Sequence, residues 1–142
     1  MARILIIEDD ELIRRMYQQI FSFRGHDISL AINGEEGIEQ ARANKPTLIL
    51  LDIMMPKLNG LDMLKQLKAL PELEHIPVII LTNLMGAADA ETALESGAIK
   101  YIIKSDYTPK EVVDMVEGIL AGYTRNEVPK TKLVKPKAKK KA

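Results

Sequence analysis

The sequence predicts an α/β fold, a doubly wound five-stranded parallel sheet in strand order 2-1-3-4-5 with helices on both faces. Five short apolar runs alternate along the chain with five segments of helical periodicity. The runs are continuously apolar rather than alternating, which marks strands buried on both faces. Right-handed crossovers and two helix layers then give the strand order.

Taken in order, Arg3 to Ile7 is a strand that runs into Glu8-Asp9-Asp10-Glu11. From Asp10 onward Leu12, Ile13, Met16, Ile20 and Phe23 recur at helical spacing, with Asp10 and Glu11 suiting the positive end of the helix dipole. Gly25 caps that helix at its C-terminus. Asp27 to Ala31 is a second strand, and Asn33-Gly34 turns into a helix over Glu35 to Ala43 that Pro46 stops. The third strand, Thr47 to Leu51, ends at Asp52, followed by Pro56 and the turn pair Asn59-Gly60. A third helix shows Leu61, Leu64, Leu67 and Leu70 on its apolar face. Pro77 leads into a fourth strand, Val78 to Leu81, ending at Thr82. Gly86 to Ser96 is an Ala-rich helix closed by Gly97, and a fifth strand, Ala98 to Ile103, ends at Lys104. Thr108-Pro109 starts the last helix, lined by Val112, Val113, Val116, Ile119 and Leu120 and closed by Gly122.

At 142 residues the chain reads as one domain, 1–123, with an appendage, 124–142. The net charge of +0 conceals an asymmetry: the appendage holds eight basic residues and one acid, and the body holds 12 basic and 19 acidic residues. The appendage is Lys- and Pro-rich and too polar to fold alone, so a disordered basic tail is expected. Its bland reading is a solubilising end, and its functional one is electrostatic binding of nucleic acid or anionic lipid. With no aromatic after Tyr123 it offers no base stacking. The absence of Cys excludes disulfides, thiolate metal sites and cysteine nucleophiles. No apolar run has the length of a transmembrane segment, and the first strand starts too near Met1 for a signal peptide, so a cytoplasmic protein is expected.

In an open parallel sheet, sites form beyond the carboxyl ends of the strands where the order reverses, here between strands one and three. Glu8, Asp9 and Asp52 meet at that edge. Carboxylates this close either raise a pKa or bind a cation. An all-oxygen set suits Mg2+, which takes one or two carboxylates and keeps several waters. Thr82 supplies a hydroxyl and Lys104 an ammonium at the same edge. A carboxylate nucleophile, a metal, a hydroxyl and a lysine together can hold a phosphoryl group.

Residues 1–123 resemble the receiver domain of two-component response regulators, a flavodoxin-like (βα)5 fold. The resemblance rests on Ile6-Ile7-Glu8-Asp9, Leu50 to Pro56, Asn59-Gly60, Leu81-Thr82, Gly97-Ala98, Tyr101 and Lys104. It implies that Asp52 is the phosphoacceptor, taking its phosphoryl group from a sensor histidine kinase or a histidine phosphotransfer protein. It implies Mg2+ on Asp9, Asp52 and the backbone carbonyl of Met54, with Glu8 acting mainly through water. Lys104 would pair with the phosphoryl oxygens, Thr82 would turn inward to bond them, and Tyr101 would follow into the space left. The face of the fourth helix, fifth strand and fifth helix would then signal to a downstream protein or the phosphoryl group would pass onward. Such a domain is a signalling element rather than an enzyme, though it assists its own phosphorylation and dephosphorylation. With no second domain after Gly122, a stand-alone receiver is expected.

Three positions depart from the family pattern. Ser105 follows Lys104 where most receivers have Pro after a cis bond, and a cis bond before a non-proline residue costs about 3 kcal/mol. Asn83 follows Thr82 where a small residue is usual, and it either crowds access to the site or adds a hydrogen bond. Met54 and Leu84 place apolar groups beside the path of the hydrolytic water, which predicts a long-lived acyl phosphate. Of the rival readings, a haloacid-dehalogenase-like phosphohydrolase needs a second Asp where this chain has Met54. Flavodoxin-like FMN binding needs a phosphate loop that does not follow strand one. A receiver-like module that binds without phosphorylation leaves the five site residues without a purpose. Among lone residues, His26 and His75 read as solvated and Tyr101 as a half-buried strand residue.

Overall fold

The computed structural model describes residues 2–54, 60–83 and 86–125. Met55, Pro56 and Asn59 of the predicted turn, Leu84, and the tail beyond Arg125 lie outside the described residues. The strands are β1 (Arg3–Ile7), β2 (Asp27–Ala31), β3 (Leu48–Leu51), β4 (Val78–Thr82) and β5 (Lys100–Ile103). The helices are α1 (Glu11–Phe23), α2 (Gly34–Asn44), α3 (Gly60–Ala69), α4 (Ala87–Glu95) and α5 (Pro109–Arg125). All strand pairs are parallel, in the expected order 2-1-3-4-5.

Because side chains alternate along a strand, the continuous apolar runs divide between two cores. Leu5, Ile7, Ile49, Leu51, Val78, Ile80 and Tyr101 face Met63, Leu64 and Leu67 of α3 and Ala90 and Ala93 of α4. Ile4, Ile6, Leu48, Leu50, Ile79, Leu81 and Ile102 face Tyr17 and Phe21 of α1 and Val112, Val113, Val116 and Leu120 of α5. Each fully buried aliphatic side chain contributes about 2 kcal/mol of transfer free energy, so the sheet is held from both sides.

The helix starts follow the capping residues. Asp10 accepts from the Ile13 amide at 3.1 Å and Asn33 from the Glu36 amide at 2.9 Å. Thr108 and Glu111 form a reciprocal capping box, with the Thr108 amide donating to Glu111 Oε1 at 2.9 Å and the Glu111 amide to Thr108 Oγ1 at 3.1 Å. Gly25, at φ +92°, closes α1 in the left-handed conformation that a side chain would strain.

The buried face of α1 follows the stripe that periodicity suggests in the middle of the helix and departs from it at both ends. Ile13, Met16 and Ile20 pack partly buried against the sheet beside the deeper Tyr17 and Phe21, whereas Leu12 and Phe23 are 80% and 93% exposed. The apolar spacing from Leu12 to Phe23 brackets the helix, but the terminal positions overhang the sheet and only the middle two turns touch it. Helix α5 also continues past Gly122 to Arg125. A solvent-facing glycine costs a helix only about 1 kcal/mol, which the packed valine face offsets. His26 is not solvated either. Its side chain is 11% exposed, its Nε2 lies 2.9 Å from Glu117 Oε2, and its Nδ1 accepts the Ala2 amide at 3.1 Å. Arg24 joins the same cluster, donating to Asp114 at 2.7 Å and Glu117 at 2.8 Å, so α1 and α5 are tied at the amino ends of the strands. His75 is exposed as expected.

Candidate functional site: an acidic pocket closed by one lysine

Register places the site. Ile7 pairs with Leu51, so the next residues, Glu8 and Asp52, leave the sheet side by side, and the Asp52 amide still donates to the Ile7 carbonyl at 3.1 Å. Both carboxylates are buried, at 4% and 6% exposure, whereas Asp9 is exposed. Carboxylate oxygens of Glu8, Asp9 and Asp52 all lie within 4.8 Å of one another.

Two strands away, β5 delivers the counter-charge. Lys104 Nζ donates to Glu8 Oε1 at 2.7 Å and to Asp52 Oδ2 at 3.3 Å, with its side chain only 9% exposed. The remaining oxygens are also used: Glu8 Oε2 accepts the Asp10 amide at 3.1 Å and Asp52 Oδ1 accepts the Met54 amide at 2.9 Å. Burial pushes the Glu8 carboxyl up from 4.5 to about 7, a rise that the Lys104 hydrogen bond resists and the Asp52 charge reinforces. Burial would lower the Lys104 ammonium, but the Glu8 hydrogen bond and the Asp52 and Glu8 charges outweigh it and hold it above 10.5. One ammonium is thus shared by two buried carboxylates, which is the smallest arrangement that lets both sit at the end of a hydrophobic sheet.

The sequence-derived residues Glu8, Asp9, Asp52 and Lys104 therefore converge. Thr82 ends β4 fully buried, and Tyr101 on the adjacent strand is 1% exposed. Tyr101 is thus enclosed rather than half-buried, because α4 packs Ala90 and Ala93 over its side of the sheet. Burial, then the charges of Asp89 and Asp52, push its phenol up to about 12. For Met54 the contact that the structure displays is its amide on Asp52, and its side chain is 53% exposed.

Other groups at the site were not evident from sequence. Arg14 donates to the Glu8 carbonyl at 2.8 Å, tying α1 to the end of β1. Tyr17, buried beside it, has a phenol pushed up to about 12 by burial and by the Glu8 charge. The Gly60 amide donates to the Ile53 carbonyl at 3.2 Å, seating the start of α3 on the backbone that carries Asp52. Of these only Gly60 left a sequence signal, as half of the Asn59-Gly60 turn.

An oxygen-only donor set with two buried carboxylates and one exposed suits a hard cation such as Mg2+ better than a soft one. The residues present fit that ion.

Comparison with known proteins agrees with this geometry. The family model for the response regulator receiver domain matches residues 4–117. The polar-differentiation response regulator DivK of Brucella anthropi is 36% identical over 107 residues, covering 75% of this chain and 87% of that protein. The probable transcriptional regulator ycf27 of Porphyridium aerugineum is 36% identical over 118 residues, 83% of this chain but 48% of its own length. The chain thus spans about half the length of the first of the curated relatives it matches. The receiver domain of a Francisella response regulator superposes with TM-score 0.78 at 30% identity, covering 88% of this chain and all (100%) of that one. With five parallel strands in this order and the receiver model matching most of its length, the chain belongs to the response regulator receiver family of two-component signalling.

Proposed function

We propose that this domain takes a phosphoryl group on Asp52 from a phosphohistidine of a sensor histidine kinase or a histidine phosphotransfer protein. The observation that carries the reading is the Lys104 ammonium held between Glu8 and Asp52 at the carboxyl edge of β1, β3 and β5. In the transfer, one Asp52 carboxylate oxygen bonds phosphorus as the phosphorus–nitrogen bond breaks, and the imidazole nitrogen keeps the electron pair and takes a proton. Charge builds on the three peripheral oxygens, and Lys104 is already placed to pair with them.

Asp9 and Asp52 would hold Mg2+ directly with the Met54 carbonyl, and Glu8 would act through water. Bound there, the ion would neutralise charge on the nucleophile and on the phosphoryl oxygens. Receiver domains are signalling domains rather than typical enzymes, so the useful product is a changed surface. Thr82 and Tyr101, buried on neighbouring strands, couple the site to the face of α4, β5 and α5, which would control a downstream protein or leave the phosphoryl group free to pass on.

Among the described residues no helix is long and apolar enough to cross a membrane, and we place the domain in the cytoplasm with its kinase. We place the end of the receiver at the end of α5, two residues beyond the expected boundary at 123, with the basic tail after it, whose excess of positive charge suits nucleic acid or anionic lipid. Phosphoramidate, a small phosphorus–nitrogen donor, tests the reading. Phosphorylation that requires Mg2+ and is lost in Asp9→Asn supports it, and a product formed equally without the metal refutes it.

A further inference from the structure

The β4–β5 ladder ends at the pair Thr82 and Ile103. One step beyond it, the Asn83 side chain takes over from the backbone: its Oδ1 accepts the Ser105 amide at 3.0 Å. The Lys104–Ser105 bond is trans, since the described residues contain no cis peptide. Ser105 can make this bond because it has an amide hydrogen; proline at 105 would offer no donor. On the other side, the Lys104 carbonyl accepts the Tyr107 amide at 3.3 Å within the 3-10 turn Lys104–Asp106. The peptide unit joining Lys104 to Ser105 is therefore held at both its oxygen and its nitrogen. From that unit a four-carbon side chain reaches inward to Glu8 and Asp52.

A lysine stem has several rotatable bonds and loses much freedom when its head group is fixed. An anchored backbone narrows the positions from which the ammonium must be aimed. We propose that Asn83 is a positioning residue for Lys104. Its side chain ties the end of β4 to the loop after β5, and so holds the ammonium at the phosphoryl-binding edge. Nothing else on Asn83 needs explaining, since it is exposed and outside both cores. The catalytic consequence rests on the phosphoacceptor reading, whereas the positioning of Lys104 does not.

The test has two arms on the 142-residue chain. In the first, without phosphodonor, lysine-selective nitrogen NMR follows Lys104 Nζ, assigned through its loss in Lys104→Met. Wild type and Asn83→Asp, which keeps an acceptor oxygen, should show a slowly exchanging Nζ signal, and Asn83→Ala should broaden or lose it. In the second, phosphorylation of Asp52 by acetyl phosphate with Mg2+ should slow about fivefold in Asn83→Ala, the effect of one modest hydrogen bond. In the Lys104→Met background the same substitution should have no further effect. An unchanged Nζ signal in Asn83→Ala overturns the proposal, and so does a rate loss that multiplies with that of Lys104→Met. Wild-type protein that takes no phosphoryl group defeats the phosphoacceptor reading instead, and the first arm still decides the positioning of Lys104.

Discussion

Replacing Gly60 with alanine should destabilise the domain and disturb Asp52 at the same time. A methyl group built at Gly60 would collide with the Cα of Ile53, lie 2.7 Å from the Asp52 carbonyl oxygen and 2.8 Å from Ile53 Cγ2. Two of those three atoms are backbone, so neither can swing aside, and α3 must lift from the strand-end loop. Overpacking of this kind costs about 3 kcal/mol. At the first residue of α3 little helix propensity is gained in return. Gly37 and Gly118 calibrate the reasoning. At Gly37 the neighbours at 2.7 and 2.8 Å are Ile7 Cδ1 and Met63 Cε, the free ends of flexible side chains. Their adjustment, at about 2 kcal/mol, outweighs a propensity gain of about 1 kcal/mol, for a net loss of about 1 kcal/mol. At Gly118, in the exposed middle of α5, nothing lies within 4 Å, so alanine should stabilise by about 0.7 kcal/mol. Urea denaturation with a common slope of about 2 kcal/mol/M would move the Gly60→Ala midpoint down by about 1.5 M and the Gly118→Ala midpoint slightly up. Phosphorylation should fail in Gly60→Ala even under conditions where it is folded. A Gly60→Ala protein as stable as Gly118→Ala would refute the close approach of α3 to the Asp52 backbone.

Three further outcomes follow from the packing and charges. Phe21→Ala should cost about 4 kcal/mol, whereas Phe23→Ser, at a side chain 93% exposed, should change stability by less than about 0.5 kcal/mol, and equal losses in thermal or urea melts would reverse the assigned face of α1. Lys104→Met leaves two buried carboxylates uncompensated and should cost about 3 kcal/mol at neutral pH, most of it recovered by adding Glu8→Gln; a double mutant no better than the single one would show that the pair does not share one ammonium. Burial works to raise the Glu117 carboxyl, but hydrogen bonds from His26 and Arg24 prevail and hold it below its ordinary 4.5. A depressed acid stabilises fully above its unfolded value and loses that contribution as pH falls through the folded one. Glu117→Gln should therefore cost about 1 kcal/mol at pH 7, a urea midpoint lower by about 0.5 M, and converge on wild type as the pH drops below 4.5; a difference that persists or grows in acid would contradict the ion cluster.

The parts of this molecule legible in its sequence are those encoded by local pattern. Continuous apolar runs located the strands to within a residue or two, and capping residues such as Asp10, Asn33 and Thr108 located the helix starts. Because strand order follows from handedness, the convergence of Glu8, Asp9, Asp52 and Lys104 is also legible in the sequence. What pattern could not supply was long-range partnership. His26 looked like a loop residue because its partner Glu117 is 91 positions away. Asn83 and Ser105, 22 positions apart, became neighbours only once the β4–β5 register was fixed. The exposure of Leu12 and Phe23 at the ends of α1 is illegible for a different reason: periodicity reports which residues share a stripe, and it does not say how far along the helix the sheet extends. The enclosure of Tyr101 likewise depends on how closely the small Ala90 and Ala93 let α4 approach.

The central claim is that the buried pocket around Asp52 exists to carry a phosphoryl group. Intact-mass measurement after incubation with acetyl phosphate and Mg2+ tests it most directly, with Asp52→Asn beside wild type. The expected result is a gain of one phosphoryl mass in wild type, absent from Asp52→Asn and lost slowly by hydrolysis on standing. Wild-type protein that gains no mass, or an Asp52→Asn protein that gains the same mass at the same rate, would contradict the account.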